Sequence, residues 1–151
     1  MLRERLSDEL KAAMKAKDKR VVGTVRLILA ALKDRDIAAR GKDNADGIDE
    51  SEILQMLQTM IKQRRESIEL YEKGGRLDLA QQEKEEIEII QRFMPAQLSQ
   101  EEIERIVSEL VAELGAESLK DMGRTMSTLR ERYAGQMEFA KASAIVKARL
   151  S

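Results

Sequence analysis

A chain of 151 residues allows one ordinary domain or two small ones, each with a modest core, and leaves little room for a large buried cleft. Its composition, 42% hydrophobic and 36% charged with 3% aromatic and a single proline, suits amphipathic helices better than a sheet. Net charge is −1, and cysteine and histidine are both absent, which removes disulfides, thiolate and imidazole metal ligands, thiol nucleophiles and the usual general base. Any catalysis would fall to Asp, Glu, Lys, Tyr and Ser, so no catalytic residue, cofactor or metal is expected.

Leu2, Leu6, Leu10, Ala13 and Met14 follow a helical period, and Asp18 is placed to cap a second helix carrying Val21, Val25, Ile28 and Leu32. The most apolar stretch, Val21 to Leu32, is too short to span a bilayer and contains Arg26, and the opening residues lack a signal-peptide core. No membrane association and a cytoplasmic location are therefore expected. Residues 41–47 then form a polar loop. Aligning its Gly47 with the glycine of a calcium loop puts Lys42 and Ile53 at ligand positions, which excludes calcium.

Asp49 and Glu52 then make a capping-box pattern with Ile48 and Ile53 as its staple, opening a third helix that ends at Gly74-Gly75. Arg64 falls on the apolar stripe of that helix, which predicts an ion pair at a domain interface, with the Glu83 to Glu88 region as its partner. A fourth helix places Leu79, Ile87, Ile90 and Met94 on one side. Pro95 bars further helix, and the domain boundary is placed there: 1–95 and 96–151. Ser99 and Glu102 form a second capping box, opening a fifth helix that buries Ile103, Ile106, Val107, Leu110, Val111 and Leu114. Ser118 and Asp121 can cap a sixth, bearing Met122, Met126, Leu129 and Tyr133. After Gly135 a seventh carries Phe139, Ala142, Val146 and Leu150. The fold expected is all-α, an N-terminal bundle of about four helices and a C-terminal three-helix domain.

Charge is uneven along the chain. Residues 1–45 hold 12 basic and 7 acidic side chains and residues 118–151 hold 7 and 3, with acidic stretches between them. In the last two helices Lys120, Arg124, Arg130, Arg132, Lys141, Lys147 and Arg149 are candidates for contact with nucleic-acid phosphates, while a solvated helix surface explains the same residues. With two Tyr and two Phe, mostly on apolar stripes, such contact would read backbone and shape rather than stack bases. Gly123, inside the sixth helix, predicts close helix packing there, since an unpacked glycine costs about 1 kcal/mol relative to alanine.

The segments Met94-Pro95-Ala96-Gln97-Leu98-Ser99, Lys120-Asp121-Met122-Gly123-Arg124-Thr125-Met126 and Val146-Lys147-Ala148-Arg149-Leu150 resemble the tail domain of the YqeY-like family. Ala13-Met14-Lys15-Ala16-Lys17-Asp18, Lys62-Gln63-Arg64-Arg65 and Gly75-Arg76-Leu77-Asp78-Leu79 resemble the family's first domain, so the likeness covers nearly the whole chain. The resemblance implies kinship with the C-terminal part of the transfer-RNA amidotransferase B subunit, whose tail helps hold transfer RNA. That enzyme is a carbon–nitrogen ligase with glutamine as nitrogen donor. Its catalytic cradle for ATP and magnesium has no counterpart in this chain. The resemblance therefore implies a bacterial adaptor without a reaction centre, with transfer RNA or a protein of translation or aminoacylation as partner. A protein-interaction module with no RNA role is the alternative. Where the family usually has an Asp-Gly pair opening the last helix, this chain reads Gln136-Met137-Glu138-Phe139.

Overall fold

The computed structural model describes residues 1–42 and 45–151; Asp43 and Asn44 of the polar loop lie outside the described residues. Seven α-helices and one short 3-10 turn account for the regular structure, with no strand among the described residues. The chain divides into two compact units, Met1–Met94 and Pro95–Ser151.

The first unit contains α1 (Leu2–Ala16), α2 (Lys19–Arg40), α3 (Glu50–Lys73) and α4 (Leu77–Gln91). Asp18 accepts a hydrogen bond from the Val21 N–H and Asp49 one from the Glu52 N–H, so the two long helices, α2 and α3, each begin at a side-chain cap. The core is aliphatic: Leu6, Val25, Ile28, Leu57 and Ile90 are fully buried and interlock with Ile53, Met56 and Phe93. Each such side chain contributes about 1.5–3 kcal/mol by leaving water. The tight α1–α2 corner is made by Lys17 in the left-handed conformation (φ 57°), a place usually given to glycine.

One charge lies within this unit's core. Asp36, 6% exposed, continues the Val25, Ile28, Leu32 stripe of α2. Its carboxylate accepts a two-pronged bond from the Arg3 guanidinium (2.6 and 2.8 Å) and a third from the Ile48 N–H (2.9 Å). Arg3 also donates to the Ile48 carbonyl at 2.8 Å. The start of α1, the end of α2 and the approach to α3 are thereby pinned together. The Arg3 hydrogen bond, aided by the Ile48 N–H, outweighs desolvation and holds the Asp36 carboxyl at about 2. Gly47 (φ 80°) is required beside it, because a Cβ there would strike the Asp36 carboxylate.

Arg64 departs from the sequence-based expectation. Its Nε donates to Glu86 at 2.9 Å and lies 3.8 Å from Glu83, so the acidic partner region is the one expected. Both partners sit on α4, however, so the pair ties α3 to α4 inside one unit rather than joining two. Burial, reinforced by repulsion from Glu86, pushes the Glu83 carboxyl upward.

The second unit packs α5 (Gln100–Leu114), a 3-10 turn (Leu119–Asp121), α6 (Met122–Arg132) and α7 (Phe139–Leu150) around Val107, Leu110, Met126, Leu129, Ala142 and Val146. Ser99 and Glu102 make a complete reciprocal capping box at the start of α5. Ser118 and Asp121 also make one, but it closes the 3-10 turn that precedes α6 rather than α6 itself. The Gln136-Met137 segment is built into the unit: Met137 is 2% exposed, the Gln136 carbonyl accepts from the Leu98 N–H at 2.8 Å, and Gln97 donates to the Gly135 carbonyl at 2.6 Å. The turn before α7 thus carries a core methionine.

Candidate functional site

All seven basic side chains singled out in the last two helices and the turn before them are exposed, and four of them meet a partner within the chain. Arg132 makes a two-pronged pair with Glu113 of α5, both bonds 2.8 Å, which draws the Glu113 carboxyl down. Arg124 meets Asp121 one turn earlier at 3.2 Å, and Lys141 meets Glu138 at 3.7 Å. Asp121 itself is held low chiefly by the N–H groups of Glu117 and Ser118, with Arg124 a lesser cause. The Arg130 guanidinium lies 5.9 Å from the centre of the Phe139 ring, a cation–π distance. Lys120, Lys147 and Arg149 enter no ion pair among the described residues.

Helical geometry keeps these charges apart. At about 100° per residue, Arg130 and Arg132 leave α6 on opposite flanks of its buried Met126–Leu129 stripe, and Arg124 leaves from the back. Their partners agree: Arg132 turns to α5 and Arg130 to the start of α7. On α7 the same spacing sends Lys141, Lys147 and Arg149 in three directions around Ala142 and Val146. Within each helix, then, the cations are spread around the axis rather than aligned in one row.

Gly123 does not pack as expected. It is the second residue of α6, exposed, and a Cβ there would meet no atom within 4 Å. The first turn of α6 faces open space at that point, so helix packing does not account for the glycine.

Elsewhere, a shallow open groove of about 350 Å³ in the first unit is lined by Arg5, Asp8, Glu9, Ala12, Arg92 and Phe93. Arg5 spans it, 5.7 Å above the Phe93 ring and donating to the Arg92 carbonyl at 3.0 Å. No group of three or more acidic side chains is arranged to hold a metal among the described residues, and no helix is long and apolar enough to cross a membrane. Asp36 was missed from sequence as a structural charge. The available signal was its place on the apolar stripe of α2, where a carboxylate needs a buried partner.

The order of helices, the proline break and the tail segments match a known pattern over nearly the full length: the model of the Yqey-like protein family covers residues 3–150. This chain belongs to the YqeY-like family. Among curated proteins it is similar to several named "Altered inheritance of mitochondria protein 41, mitochondrial", including those of three yeasts. The protein of Lachancea thermotolerans is 40% identical over 112 residues, covering 72% of this chain and 57% of the relative. That of Eremothecium gossypii is 38% identical over 91 residues, 60% and 48% of the two chains. That of Vanderwaltozyma polyspora is 31% identical over 150 residues, 94% and 79%. The match spans about half the length of the first two relatives. These names overturn the expectation of a bacterial, cytoplasmic protein, since the YqeY-like relatives are mitochondrial proteins of yeasts. The physical reason is plain: neither the lack of cysteine nor the lack of a long apolar helix among the described residues singles out one compartment.

Proposed function

We propose that this YqeY-like protein is a non-catalytic adaptor that holds macromolecular partners of translation or transfer-RNA metabolism through its helix surfaces, and that its principal contacts are with protein. The observation that carries this reading is the commitment of the tail cations within the chain: Arg124, Arg132 and Lys141 are paired with its own carboxylates and Arg130 lies against the Phe139 ring. A phosphate backbone is best held by a contiguous row of free cations, whereas protein partners tolerate a mixed and partly neutralised surface. The resemblance to the amidotransferase B-subunit tail supports the setting, and the carbon–nitrogen ligase label belongs to the larger enzyme's catalytic cradle.

A second reading, direct contact with transfer RNA, is favoured by one feature: Lys120, Lys147 and Arg149 are exposed and unpaired among the described residues. Titrating the intact protein with bulk transfer RNA across a salt series, beside a Lys120→Ala/Lys147→Ala/Arg149→Ala variant, separates the two. Absence of binding at low salt is the expected result. Binding that weakens with salt and drops in the variant would transfer the tail to RNA. Release of ammonia from glutamine by the intact protein would remove the adaptor reading altogether.

A further inference from the structure

The outer face of α2 is unpartnered and patterned. Val21, Thr24, Val25, Ile28, Leu32 and Asp36 face the core. On the solvent side Gly23, Leu27, Ala30, Asp34 and Ile37 recur at intervals of four and three, the seam spacing by which one helix packs along another. Leu27 is 49% exposed and Ile37 56%, large apolar side chains that the chain itself leaves in water. Gly23 lies one turn inside the helix, and a Cβ there would meet nothing within 4 Å. Its backbone is therefore open to close approach from outside.

Along one edge of this seam runs a row of cations. Lys19, Arg26, Lys33 and Arg40 are seven residues apart, which places them on one flank at intervals of about 10.5 Å. All four are exposed and enter no ion pair among the described residues, although Arg40 acts on the Asp36 carboxyl as a nearby charge and Arg20 beside them pairs with Glu85 at 3.0 Å. In a helix pair, the positions flanking the seam choose the partner by charge.

We infer that the outer face of α2 docks an amphipathic helix of a partner protein, with apolar residues on its seam and carboxylates along the edge that meets Arg26 and Lys33. The inference rests on the adaptor reading and adds to it the place and chemistry of one contact. Leu27 and Ile37 separate this occupant from RNA, which has no use for an apolar seam beside its cations. Gly23, Ala30 and Asp34 separate it from a lipid surface, which requires large apolar side chains throughout. Asp34, the polar position of the seam, calls for a donor opposite and would fix the register.

The test pans a displayed library of 21-residue helical peptides on the intact protein at low salt. The seam is fixed as apolar and the edges are varied among Glu, Lys and Ser. Enrichment of Glu-edged clones is expected. The winning peptide, fluorescein-labelled, should lose at least tenfold in affinity for Arg26→Glu/Lys33→Glu and for Leu27→Ser/Ile37→Ser, all surface changes whose folding is checked by circular dichroism. Enrichment of Lys-edged clones, no enrichment, or equal binding to both variants overturns the inference and leaves the adaptor reading standing. That reading is removed separately, by glutamine turnover. Self-association of the unmodified protein that Ile37→Ser abolishes would assign the seam to a second copy. Binding of bulk transfer RNA that is lost in Arg26→Glu/Lys33→Glu but kept in Leu27→Ser/Ile37→Ser would assign it to RNA. Either result overturns the proposal.

Discussion

Two stretches carry surplus positive charge, residues 1–45 and 118–151, and they dispose of it differently. In the first, one arginine, Arg3, is committed to a deep carboxylate, and a row on α2 at heptad spacing enters no ion pair among the described residues, although Arg40 acts on the same carboxylate through its charge. In the second, Arg124, Arg132 and Lys141 are shared with nearby acids and Arg130 lies against the Phe139 ring. A count of charges makes the two look alike. Spacing around the helix separates them, because seven residues return a side chain to nearly the same flank while two or six do not.

The largest expected effect tests how firmly the first region is held. Asp36→Ala removes the partner of a buried Ile48 N–H and of the Arg3 fork. Because an orphaned buried donor and a small cavity both cost, the loss should be about 2–4 kcal/mol in urea denaturation. The same pair sets an acid limit. Asp36 is held at about 2 against an ordinary 3.8, so its contribution is fully present above pH 4 and is lost as pH falls toward 2. Acid denaturation of the unmodified protein between pH 4 and 2 should therefore be steeper than that of Asp36→Asn. Equal slopes would mean that the fork is not what anchors α1 to α2.

Legibility in the sequence divides in the same way, between period and pairing. Helix number, the caps at Asp18, Asp49 and Ser99 and the apolar stripes are local features of spacing and were legible. Lys17 was not, because a left-handed non-glycine corner has no residue signature. Arg64 was legible as a buried cation with an acidic partner near Glu86, yet which elements the pair would join depended on the antiparallel return of α4 along α3. Met137 was hidden by its place in a turn, where burial comes from the approach of Leu98 rather than from any period. The seam on α2 was readable in principle, and the stronger inner stripe of the same helix masked it.

A matched pair of glycines gives the next effect. Gly23 and Gly123 each face open space, one in each basic region. Gly23 sits in the body of α2, where alanine should add about 1 kcal/mol, whereas Gly123 is the second residue of α6 and should add only a few tenths. Thermal melts of Gly23→Ala and Gly123→Ala check the order. A loss at Gly123 would show that the first turn of α6 needs glycine for a reason other than open space.

The smallest effect separates a shared charge from a free one. Arg132→Ala breaks a two-pronged but exposed pair with Glu113, so the melting temperature should fall slightly at low salt and the difference should vanish at high salt. Lys33→Ala removes a cation with no ion-pair partner among the described residues and should leave the melt unchanged at every salt concentration. A salt-sensitive loss for Lys33→Ala would mean that the α2 row already has a carboxylate to face within the chain. The two basic stretches would then be alike in use as well as in number, and the seam would have no free edge to offer a partner.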